Sequence, residues 1–195
     1  MTVARERLLD AAVEAFAEHG FTATTTRDIA SRAGMSPAAV YVHHATKEEL
    51  LFTLSLNGHH AALNVIEQAG TDAPDAVAEV RQLVYAFSLW HAQNSRVGRI
   101  VQYEFRSLTS EHRAQIASIR RQIEAHMQDA LKRGVAQGVL DVPNIADTAR
   151  ALLSLSIDLV RWFDPHGSQP PDQIAALHAD LAARMTAARR HPDRF

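Results

Sequence analysis

Apolar residues recur at helical spacing almost from end to end of this chain, and no stretch alternates apolar with polar residues between hairpin turns. The pattern predicts an all-α protein, because a stripe of apolar side chains on each helix is buried only against other helices. In the first segment Leu9, Ala12, Val13, Phe16 and Ala17 form the stripe. Gly20 is placed to stop the helix, with Phe21 folding back onto it. Further periodic segments fall at about 26–33, 37–43, 47–69, 75–94, 96–107, 110–137, 144–163 and 171–190, about nine helices in all. The breaks between them are polar, and the run from Asp164 to Pro171 is the clearest loop.

A chain of 195 residues with 47% hydrophobic content buries a sizeable core without disulfides or a structural metal. The absence of cysteine excludes disulfide frameworks, thiol nucleophiles and the usual zinc ribbons, and it fits a cytoplasmic protein. The opening MTVARERLLDAAVEAF lacks the pattern of a secretory leader. No run is long and apolar enough to span a bilayer, so no membrane partner is expected, and no cofactor is called for.

Local signals divide the N-terminal part finely. Thr25 and Asp28 have capping-box spacing, so a short helix follows from about Thr26 to Ala33. Gly34 ends it, Ser36 caps the next helix, and Pro37 suits that helix's first turn. Thr46 and Glu49 open the long helix that follows. Two short helices joined by a three-residue glycine-containing turn have helix-turn-helix spacing, in which the second helix enters the major groove. The same spacing also serves as a plain packing corner in helical enzymes.

Charge agrees locally with a DNA-binding reading, although the whole chain carries a formal net charge of -2. Between Phe21 and Lys47 the cations Arg27, Arg32 and Lys47 face Asp28 alone, with His43 and His44 beside them.

The residues Thr26-Arg27-Asp28-Ile29-Ala30, Ala33-Gly34-Met35-Ser36, Val40-Tyr41-Val42-His43 and Lys47-Glu48-Glu49-Leu50-Leu51 follow one another without a gap. This succession resembles the signature of the TetR family of repressors over about residues 5–52. His44 stands where the family usually has an aromatic residue, and Val42 replaces a frequent one. The resemblance implies a DNA-binding domain over 1–46 and a helical ligand-binding and dimerisation domain over 47–195. It also implies a homodimer on a palindromic, double-stranded operator and release by a small-molecule effector.

Side-chain chemistry assigns the roles within that frame. Lys47, at a helix N-terminus where free N–H groups and the dipole favour an anion, is expected to clamp a DNA phosphate. Thr26, Arg27, Tyr41 and His43 are expected at the backbone as well. Ser36, Pro37, Ala38 and Ala39 are short enough to approach the groove floor, where Pro and Ala touch thymine methyls without bidentate hydrogen bonds.

Pockets in helical bundles form between facing helices, with a few polar groups among apolar ones. Two clusters fit that description for the effector. One is Phe87, Trp90, His91 and Asn94 with Tyr103, Glu104 and Phe105; the other is Asp158, Arg161, Trp162 and Phe163, with Arg99, Arg106 or Arg161 as partners for the carboxylates Glu104 and Asp158. The aromatic residues, at helical spacing, also suit plain core packing, and the carboxylates suit ordinary ion pairs. The ten-residue ending Asp158-Leu159-Val160-Arg161-Trp162-Phe163-x-Pro165-x-Gly167 is similar to TetR-family regulators of lipid, steroid and acyl-CoA catabolism, which implies an acyl-CoA or other lipid-derived ligand. The wide apolar faces of the eighth and ninth helices suit a subunit interface, as the family pairs them across a two-fold axis.

A rival reading is a helical enzyme or metal protein built on the eleven histidines. No His-Glu-x-x-His set or nucleophile motif supports it. The other alternative is a helical dimerisation or small-molecule-binding module without DNA-binding activity.

Overall fold

The structure is a computed structural model that describes residues 3–43 and 46–187; the side chains of Tyr41, Val42 and His43 lie outside the described residues. The expected helices are present. They are α1 (Val3–Ala23), α2 (Thr26–Arg32), α3 (Pro37–His43), α4 (Lys47–Gln68), α5 (Ala76–Gln93), α6 (Ser95–Tyr103), α7 (Ser110–Ala136), α8 (Ile145–Ile157), α9 (Leu159–Trp162) and α10 (Pro171–Thr186). A 3-10 turn at Phe105–Ser107 separates α6 from α7. The single helix expected over 144–163 is broken: Asp158 closes α8 with ψ near -14°, and Leu159 to Trp162 form a separate short turn.

Local chemistry sets most boundaries. Gly20 takes φ 76° and ψ 162°, a region almost closed to residues with a Cβ, and there α1 kinks. Phe21 is thereby turned back onto Phe16, with ring centroids 5.3 Å apart. The α2 capping box is complete, Thr25 and Asp28 each receiving the other's backbone N–H. Asp75 caps α5 through Ala78 N–H at 2.8 Å, and Asn144 caps α8 through Asp147 N–H at 3.0 Å. Among the described residues no helix is long and apolar enough to cross a membrane.

The chain folds as two compact units, residues 1–60 with 96–118, and residues 61–95 with 119–195. This differs from the boundary expected at residue 46. In the first unit, Leu8, Phe16, Ile29 and Val40 share one core with Leu50, Leu51 and Leu54 of α4, and with Ile100, Leu108 and Ile116 from the 96–118 segment. The N-terminal helices therefore draw part of their apolar cover from residues far along the chain.

In the second unit α5 packs along α10 and α8. Phe87, Leu152 and Leu159 are fully buried there. A polar trio crosses this apolar interior: Ser88 Oγ lies 2.8 Å from Ser156 Oγ and 3.0 Å from His178 Nδ1, tying α5, α8 and α10 together. All three side chains are buried, so their mutual hydrogen bonds offset the cost of leaving water. Burial holds His178 below the usual histidine pKa, favouring the neutral ring.

Candidate nucleic-acid interface

α2 and α3 sit side by side, joined by a turn in which Gly34 takes φ 64°. Arg7, on α1, fixes this turn by donating from its guanidinium to Ala33 O. A Cβ at Gly34 would lie 3.0 Å from that guanidinium, so the arginine's approach and the left-handed backbone both require glycine. Nothing in the sequence spacing singled out Arg7, whose partner is 26 residues away.

The front of α3 is open. Ser36, Pro37 and Ala38 are exposed and Ala39 half-buried, while Val40 turns into the core. Ser36 Oγ accepts Ala39 N–H at 3.3 Å and so caps the helix, leaving its own hydroxyl hydrogen able to donate. Arg27 is exposed on α2 and Thr26 half-buried beside it. The side chains of Tyr41 and His43 fall outside the described residues.

Two of the three expected cations are engaged within the protein. Arg32 pairs with Glu18 and lies 3.3 Å from His19 Nε2. That arginine holds the Glu18 carboxyl below its ordinary pKa. Lys47, expected at a DNA phosphate, points back instead. Its ammonium donates to Phe21 O at 2.6 Å, Thr24 O at 2.8 Å and Thr22 O at 3.3 Å, and lies 4.4 Å from the Phe21 ring centroid. Three carbonyls at and just beyond the end of α1 match the three hydrogens of the ammonium, whereas the N-terminus of α4 itself exposes N–H donors and offers it no acceptor. At α2 the Asp28 carboxyl is held below its usual pKa, first by the Thr25 hydroxyl and then by the Thr25 backbone.

The structure distributes the expected effector residues unevenly. Phe87, Trp90 and His91 gather in the second unit, with the His91 ring 4.4 Å from Phe87 and 4.9 Å from Trp90. Phe87 is only 2% exposed and serves as core. His91 is buried, its Nδ1 2.8 Å from Phe87 O. Tyr103, Glu104 and Arg106 belong to the first unit instead. Tyr103 and Arg106 are exposed, and Glu104 accepts from the Ser107 hydroxyl at 3.2 Å. Asp158 and Arg161 pair at 3.4 Å on the surface, and Trp162 beside them is 51% exposed. The break after α8 separates this turn from the apolar helix at whose end these residues were expected. Sequence reasoning also missed an open cleft of about 660 Å³ in the second unit, lined by Gln68, Arg81, Tyr85, Ala176 and Ala179 among others.

Comparison with known proteins agrees with this arrangement. Residues 8–54 match the description "Bacterial regulatory proteins, tetR family", and residues 73–186 match "Tetracyclin repressor-like, C-terminal domain". The chain belongs to the TetR family. It is thus a transcriptional regulator with a helix-turn-helix DNA-binding domain, not an enzyme. The HTH-type transcriptional repressor KstR2 of Mycobacterium tuberculosis H37Rv is 30% identical over 179 residues, which cover 87% of this chain and 86% of that relative. A TetR-family regulatory protein from Rhodococcus RHA1 superposes with a TM-score of 0.91 at 41% identity, covering 96% of this chain and 99% of that one. AibR, solved with isovaleryl coenzyme A and operator DNA, shares the fold with a TM-score of 0.81 at 23% identity, over 91% and 97% of the two chains.

Proposed function

We propose that this TetR-family regulator is a repressor that binds a palindromic operator as a homodimer and is released by a small-molecule effector, an acyl-CoA or related lipid-derived ligand. The observation that carries the DNA-binding part is the open front of α3: three short, exposed residues at the start of a helix held by a glycine turn. Ser36, Pro37, Ala38 and Ala39 approach base edges, while Thr26, Arg27, Tyr41 and His43 meet the backbone. Lys47 supports this surface from behind.

The support for the effector class is of a different kind. It comes from the KstR2 relatives, named as repressors, and from the isovaleryl coenzyme A bound to AibR, whose likeness is one of fold. Trp90 and His91, which lie together in the second unit, are the residues assigned to effector contact. The dimer forms through α8 and α10, where Leu177 and Met185 are large apolar side chains left about half exposed. The protein works in the cytoplasm, where its operator is.

Fluorescence anisotropy with DNA flanking the coding region tests this reading. Specific binding should weaken linearly in log–log against salt, with a slope of about -0.9 per phosphate contact, and Arg27→Ala should reduce that slope by about one. One member of an acyl-CoA panel should release the DNA. A folded dimer that binds none of the flanking fragments would favour the module without DNA-binding activity.

A further inference from the structure

Adjacent residues in the first turn of α4 hold two different parts of the first unit. Lys47 gathers the carbonyls of Phe21, Thr22 and Thr24, the last of these immediately before the residue that caps α2. Glu48 reaches the start of α7. Its Oε1 accepts Thr109 N–H at 2.8 Å, and its two oxygens lie 2.8 Å and 3.0 Å from His112 Nδ1. The His112 ring stacks on Phe52, one turn further along α4, with centroids 3.7 Å apart and planes 4° from parallel. The Thr109 hydroxyl caps the same corner through His112 N–H at 3.2 Å. The Glu48 and His112 side chains are only 19% and 21% exposed, so this is a packed contact rather than a solvated surface pair.

We propose that the α4 first turn is a joint that sets the helix-turn-helix in register with α7, and that Glu48 and His112 are positioning residues for operator binding. The inference rests on the DNA-binding reading above. Neither residue needs to touch DNA. Displacing the start of α7 acts on Glu48, and the neighbouring Lys47 passes that displacement to the chain leading into α2. Every contact in this route lies inside one compact unit. The α7 start meets α4 through these directional hydrogen bonds and the Phe52–His112 stack, just ahead of Ile116 in the shared core, so its position and that of α4 are set together.

His112→Phe keeps a flat ring against Phe52 and removes the donor; His112→Asn keeps a donor near the Nδ1 position and removes the ring; Glu48→Gln removes the charge. Operator affinity should fall roughly 3- to 30-fold in His112→Phe and Glu48→Gln, with the salt slope unchanged, and His112→Asn should recover most of the loss. In the free protein, amide hydrogen exchange should quicken over residues 25–40 in His112→Phe while α5, α8 and α10 stay as in the wild type. Unchanged exchange over 25–40 overturns the proposal whether or not an operator is in hand. So does wild-type affinity in both loss variants. A drop of about one in the salt slope would make these residues direct phosphate contacts, which also overturns it. Wild-type affinity in His112→Phe with a loss in His112→Asn would assign the effect to stacking and defeat the hydrogen-bonded joint.

Discussion

At the scale of single residues, Lys47 and Arg7 do the same kind of work from opposite sides. Each brings a cation to main-chain carbonyls that a helix end leaves without partners, Arg7 at Ala33 and Lys47 at Phe21, Thr22 and Thr24. Replacing Lys47 by Met keeps the apolar stem and removes the donors. The variant should lose about 1–2 kcal/mol of stability, read as a lower urea midpoint, since hydrogen bonds to a charged group are worth somewhat more than neutral ones. Its DNA salt slope should stay at the wild-type value. A slope smaller by about one would mean that Lys47 leaves its carbonyls to meet a phosphate.

At the scale of helices, the kink in α1 depends on one backbone conformation. Gly20→Ala meets no atom within 4 Å, so space is not the obstacle; the positive φ is. The cost should be about 1–3 kcal/mol, visible as a lower melting temperature with helical content retained. Such features were legible because they are local: a glycine after an apolar stripe, or Thr and Asp three residues apart. The break at Asp158 was not legible, because the apolar period runs straight through it and Leu159 and Val160 beyond it are buried as a continuous helix would bury them. The contacts that organise the recognition surface were hidden for another reason. Glu48 and His112 are 64 residues apart, and Lys47 lies 26 from Phe21. No periodicity links such pairs, so Lys47 could be read only from its place at a helix N-terminus. The effector residues suffered similarly, since an aromatic at helical spacing has the same appearance in sequence whether it is core, as Phe87 is, or exposed, as Trp162 is.

At the scale of the whole molecule, the buried His178 links stability to pH. Its folded pKa lies below the unfolded value, so in the window under about pH 6.5 the unfolded chain binds the extra proton. This contribution is complete above that pH and is lost as the solution is made more acidic. Urea midpoints should fall between pH 8 and pH 5.5, and His178→Asn, which keeps a group facing Ser88, should flatten that fall. Assembly is tested separately. Leu177→Glu with Met185→Glu should convert a two-chain species into single folded chains in sedimentation, with the helical spectrum unchanged; persistence of the two-chain species would place the interface elsewhere.

α4 has a mechanical consequence as well. It is one uninterrupted helix of 22 residues, a rod of roughly 33 Å at about 1.5 Å per residue, whose first turns pack through Leu50, Leu51 and Leu54 in the core of the first unit. A rod of that stiffness does not stretch; it tilts. A tilt of about 5° about one end carries the other through about 3 Å, close to the full span of a hydrogen bond. Tolerance at the first turn of α4 is therefore angular: a small rotation of this helix within the first unit is enough to part Lys47 and Glu48 from the groups they hold.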